Sequence, residues 1–65
     1  MIWIGRAPDM EPYEYGYVFF SERAAARWLR YDASHKVMRI EDFGPAEEMI
    51  VTPQPDKIEY RRSND

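Results

Sequence analysis

A chain of 65 residues with no cysteine, and with His35 as its one imidazole, must be held together by apolar packing. Domains near this size bury a core only marginally able to stabilise them. Disulfides, a structural metal or an oligomeric contact commonly make up the difference. Here disulfides and thiolate zinc sites are excluded, and a single histidine cannot build an imidazole cluster. Self-association is the aid that remains, so a homodimer is expected beside the simpler outcome of a chain that folds alone.

The apolar residues fall into short segments with different periods. Met1-Ile2-Trp3-Ile4 reads as a strand closed by Gly5, and residues 6–12, with two prolines, as a loop. Residues 13–20, YEYGYVFF, read as a second strand, with Gly16 marking a bulge or a close backbone approach. Ser21 then supplies a helix cap, Glu22 an acid at the positive end of the helix dipole, and Ala24–Ala26 strong helix formers. A helix is expected over 22–33, and a third strand over 36–43. Residues 45–52 are ambiguous between a helical turn and a strand. A last strand is expected over 57–61, where polar and apolar residues alternate around Ile58 and Tyr60. The expectation is an α+β fold: a small, mainly antiparallel sheet, β-β-α-β plus one or two C-terminal strands, with one helix on one face. It forms a single domain over 1–62, with 63–65 as a frayed tail.

On a wheel of ~100° per residue, Ala24, Ala25, Trp28 and Tyr31 share the expected core face, with Leu29 at its edge. Arg23, Arg27 and Arg30 form a ridge on the other side. Three guanidinium groups in a row suit phosphates or carboxylates, but a solvated helix face looks the same.

The tyrosines raise the sharper question. If 13–20 is one strand, Tyr13, Tyr15, Tyr17 and Phe19 share a face, and Val18 and Phe20 make the other face apolar as well. One helix covers only one face of a sheet. The second is therefore covered by residues 45–61, by a second copy, or by another protein. Tyrosine suits a protein contact, since its ring offers large area at low entropic cost and keeps a polar tip. The candidate partner-binding residues are Tyr13, Tyr15 and Tyr17, with Glu11 and Glu14 setting charge complementarity.

Signals for chemistry are sparse. His35 has no nucleophile beside it in the sequence and suits a surface or cap position after the helix. Asp9, Glu11 and Glu14 lack the register and turn glycine of a calcium loop. No phosphate-cradling glycine loop or nucleophile elbow occurs, so no enzyme activity, cofactor or metal is expected. A net charge of −3 and a pI near 5.0 make nucleic acid a second-choice partner, reached through Arg23, Arg27 and Arg30. MIWIGRAPDME carries no basic leader or long apolar run, so a cytoplasmic protein without membrane association is expected.

The strand-helix-strand outline within residues 15–42, with an acid and alanines opening the helix and Trp28 inside it, resembles small accessory proteins of bacteriophages. Some of those inhibit host enzymes. The resemblance implies a regulatory or inhibitory role on a larger host protein, and it assigns no site residues.

Overall fold

Ile2, Trp3 and Ile4 favour extended backbone, and in the computed structural model of the chain, which describes residues 1–41, 44–53 and 56–62, they open the strand β1 (Ile2–Arg6). Gly5 does not end this strand. It sits inside it because the Trp28 ring presses on the backbone there: a Cβ at Gly5 would lie 2.6 Å from Trp28 Cζ3. The second strand is shorter than expected, β2 (Tyr17–Phe19). Gly16 has a φ of +95°, outside the range of a strand, so Tyr13 and Tyr15 lie before β2 and not in it.

Ser21 caps α1 (Glu22–Tyr31), its hydroxyl accepting from Ala24 N at 3.3 Å. The chain then forms β3 (Lys36–Ile40), β4 (Glu47–Pro53) and β5 (Asp56–Arg62). The ambiguous 45–52 segment is therefore largely strand, as its Met-Ile-Val-Thr run favours. The third strand stops at Ile40, while Asp42, Phe43, Gln54, Pro55 and the expected tail at 63–65 lie outside the described residues. The sheet order is β2-β1-β3-β4-β5 with every pairing antiparallel. This is a small α+β fold, with the helix packed on the sheet.

The register separates the two faces. Trp3 opposes Phe19 and Arg39, Gly5 opposes Tyr17 and Val37, Met49 opposes Tyr60, and Val51 opposes Ile58. These residues face α1, and the core there consists of Trp3, Ala25, Ala26, Val37 and Met49. The helix is turned by about one residue, ~100°, from the expected orientation. Ala25 and Ala26 are buried, Trp28 and Leu29 are half-buried, and Ala24 and Tyr31 are exposed. In this orientation the Glu22–Ala26–Leu29 line lies toward the sheet and Tyr31 outward, and Glu22 Oε2 accepts from Tyr60 Oη of β5 at 2.7 Å.

The other face carries Ile2, Ile4, Val18, Met38, Ile40 and Ile50, with Arg6 and Lys36 at one end of β1 and β3 and Glu48, Glu59 and Arg61 on β4 and β5. Residues 47–53 and 56–62 do not fold over it. They extend the sheet sideways as β4 and β5, which removes the possibility that they cover this face within one chain. Tyr17 and Phe19 are not on it either. They pack beside Trp28, with ring centroids 5.5 and 5.7 Å away, so the expected row of four aromatics on one open face is corrected to two on the helix side and two in a loop.

Candidate functional site

The segment between β1 and β2 is a shaped loop. Backbone turns close it from Met10 N to Ala7 O at 3.1 Å and from Glu14 N to Glu11 O at 3.0 Å. Arg6, at the end of β1, reaches over it, and its guanidinium donates to the carbonyls of Glu11 (2.8 Å) and Glu14. Gly16 returns the chain to the sheet, its α-carbon so near the Gly5 carbonyl that a Cβ would lie 2.5 Å from that oxygen. Held at both ends, the loop carries Tyr13 and Tyr15 outward, 79% and 92% exposed, with the exposed Glu11 and Glu14 beside them.

Of the five candidate docking residues, Glu11, Tyr13, Glu14 and Tyr15 are thus brought together. Tyr17 is drawn away into the aromatic group around Trp28. Arg6 escaped the sequence reading, because nothing local marks an arginine as a loop anchor.

The arginine ridge is where the helical period puts it. Arg23, Arg27 and Arg30 are exposed on the side of α1 away from the sheet, with Tyr31 (87% exposed) alongside. His35 closes the helix end. Its Nδ1 lies 2.9 Å from Trp28 O, and its ring stacks on the indole at 3.8 Å and 7°. Asp32 completes the turn by accepting from Ser34 N (2.8 Å) and Ser34 Oγ (2.7 Å). The Ser34 backbone bond, then its hydroxyl, holds the Asp32 carboxyl below the ordinary carboxylate value. These contacts give His35 the cap position expected of it.

A polar chain with no local sequence signal ties the sheet to the helix. Trp3 Nε1 donates to Tyr60 Oη at 2.9 Å, and Tyr60 donates on to Glu22. Arg39 lies over the Tyr60 ring at 3.6 Å and is bonded to Glu47, which raises its pKa above the ordinary guanidinium value. Burial first, and the bond to Glu22 second, push the Tyr60 phenol above its ordinary value of 10.0.

The alkaline limb of stability follows from the sign of that shift. Below about pH 10 the phenol is neutral in both states, and stability does not depend on it. Above that, the unfolded chain releases the proton first and the folded chain retains it, so stability falls as pH rises toward the folded value. Urea midpoints are expected to be level up to about pH 9.5 and to drop beyond it. Tyr60→Phe is expected to flatten the drop and to cost about 1–3 kcal/mol at neutral pH, since Trp3 and Glu22 both lose their partner. An unchanged alkaline drop in that variant would assign it to other groups.

Among the described residues no group of three or more histidines and acids could hold a metal ion, and no helix is long and apolar enough to cross a membrane. Compared with known proteins, the chain matches no family model, no curated protein and no solved structure at a significant level.

Proposed function

We propose that this chain is a small acidic protein-binding module with a regulatory role, working by docking onto a larger protein and without catalytic activity of its own. The observation that supports this reading is the near-complete exposure of Tyr13 and Tyr15 on a loop that Arg6 and Gly16 hold in shape. A preformed loop loses little conformational freedom on binding, and exposed tyrosines are common interface anchors. Glu11 and Glu14 on the same loop match a basic patch on the partner. Inhibition of a host enzyme, as the bacteriophage resemblance implies, is the narrower form of this reading.

The test is affinity capture from host extract, followed by titration of the captured protein against a Tyr13→Ala, Tyr15→Ala double variant. Both side chains are clear of the core, so the variant is expected to unfold at the wild-type urea midpoint. Its affinity is expected to fall by roughly 2 kcal/mol or more, about thirtyfold. Equal affinity, or no specific capture, sinks the reading.

The exposed Arg23 and Arg27, with Tyr31 next to them, favour nucleic acid as the second reading: phosphates on the ridge and a base stacked on the phenol. Salt-sensitive binding of labelled oligonucleotides that disappears in Arg27→Glu places this reading first. No binding at low salt removes it.

A further inference from the structure

We infer that the outer side of α1 is a binding site for single-stranded nucleic acid, with phosphates on Arg23 and Arg27 and an unpaired base stacked on Tyr31. The inference rests on the nucleic-acid reading above and narrows it to an unpaired strand. It uses no residue of the tyrosine loop, so a docked protein and a bound strand do not compete for the same side chains.

Arg23, Arg27 and Tyr31 are spaced i, i+4 and i+8, so they follow one line along the helix. The rise of ~1.5 Å per residue puts the arginines about 6 Å apart along the axis and the tyrosine about 6 Å further on. Both arginines are exposed, and among the described residues neither side chain has a hydrogen bond or an ion pair. Their charge is thus left for a ligand, although the chain as a whole carries −3. The acids of α1 and its cap are placed elsewhere. Glu22 is turned to Tyr60, and Asp32, which accepts from Ser34, lies past Tyr31. Phosphates therefore belong at the Arg23 end, which the positive end of the helix dipole also favours, and an uncharged base at the Tyr31 end.

Tyr31 is the residue that selects an unpaired strand. Its ring is 87% exposed, so packing in the core does not account for it. It lies nearly parallel to the His35 imidazole, with centroids 6.4 Å apart at 12°, and His35 stacks in turn on Trp28. At that separation the imidazole does not close the face of the phenol, since carbons in contact lie roughly 3.5–4 Å apart. A base can stack on this ring only if its own face is free. Inside a duplex its neighbours cover both faces, whereas a single strand can turn a base out.

Fluorescence anisotropy at low salt is expected to show a labelled oligothymidylate bound at least tenfold more tightly than the same strand annealed to its complement. Arg27→Gln is expected to lower the affinity and to reduce the slope of log K against log salt by about 0.7, the share of one phosphate on a single strand. Tyr31→Ala is expected to weaken binding about fivefold or more without changing that slope, and Tyr31→Phe to keep the wild-type affinity. Both positions are exposed, so the variants are expected to unfold at the wild-type urea midpoint. On binding, the ring protons of Tyr31 are expected to shift upfield while those of Tyr13 and Tyr15 stay in place. A duplex bound as tightly as the single strand, or unchanged binding in Tyr31→Ala, overturns the inference and leaves the ridge as a phosphate contact within the broader nucleic-acid reading. Shifts that fall on Tyr13 and Tyr15 instead overturn it as well. No binding of either form at low salt removes both.

Discussion

Trp28→Ala is expected to lower the stability of the chain by about 3 kcal/mol at 25 °C. Its indole is the meeting point of the helix-side packing: it lies over Gly5, tilts against Tyr17 and Phe19, and is stacked under His35. The fully buried side chains around it are small, with Val37 the largest, so few neighbours can close into the space it would leave. Removing a buried tryptophan costs about 3–5 kcal/mol, and the ring's partial exposure places this one near ~3. A domain of 65 residues has only about 3–10 kcal/mol of total stability, by the usual per-residue range. The loss is thus about a third of the stability at the top of that range and nearly all of it at the bottom. Urea titration followed by circular dichroism measures it, and a midpoint shift equivalent to less than about 1 kcal/mol would show that the ring is not a main support. His35→Ala is the comparison, since it removes only the outer layer of the stack and one cap bond, and it is expected to cost less.

The elements most legible in the sequence are those set by neighbouring residues. Ser21, Glu22 and the alanines define the helix start within one turn, and the alternation around Ile58 and Tyr60 defines the last strand. Residues 13–20 read as one long strand because tyrosine and phenylalanine favour extended backbone, but Gly16 overrides that preference. Its positive φ, which the sequence marked only as a bulge or close approach, turns half the segment into a loop. The orientation of α1 was out of reach for a different reason. It goes with contacts between residues far apart in sequence, Tyr60 with Glu22, 38 positions apart, and Trp28 over Gly5. Neither pairing leaves a periodic trace. The tyrosine surplus did point to the segment that carries the exposed rings, although by a strand face that does not form.

Gly16→Ala is expected to damage the protein more than a change of one methyl group suggests, because two penalties fall on the same atom. A φ of +95° is a conformation that L-residues rarely adopt, and holding one there costs roughly 1–3 kcal/mol. The added Cβ would also lie 2.5 Å from the Gly5 carbonyl oxygen and 3.3 Å from Ile4 Cγ2. Gly5 cannot retreat. Its backbone is registered on both sides, with Tyr17 of β2 and Val37 of β3, and the Trp28 ring fills the space above it. The strand with the fewest ties gives way instead. β2 has three residues and a single neighbour, so it is expected to separate from β1, releasing the Phe19 contact and the shape of the tyrosine loop. Amide exchange reads this directly: Val18 and Phe19 are expected to lose protection while Val37 and Met38, in the middle of the sheet, keep more of theirs. The two penalties can then be separated by handedness. Gly16→Asn tolerates positive φ better than alanine but places its Cβ in the same collision, so it is expected to recover only part of the loss. A D-alanine at position 16, introduced by chemical synthesis, accepts the positive φ and turns its methyl away from the Gly5 carbonyl, so it is expected to restore protection at Val18 and Phe19. Equal damage from L- and D-alanine would mean that the backbone at Gly16 is not held in this conformation.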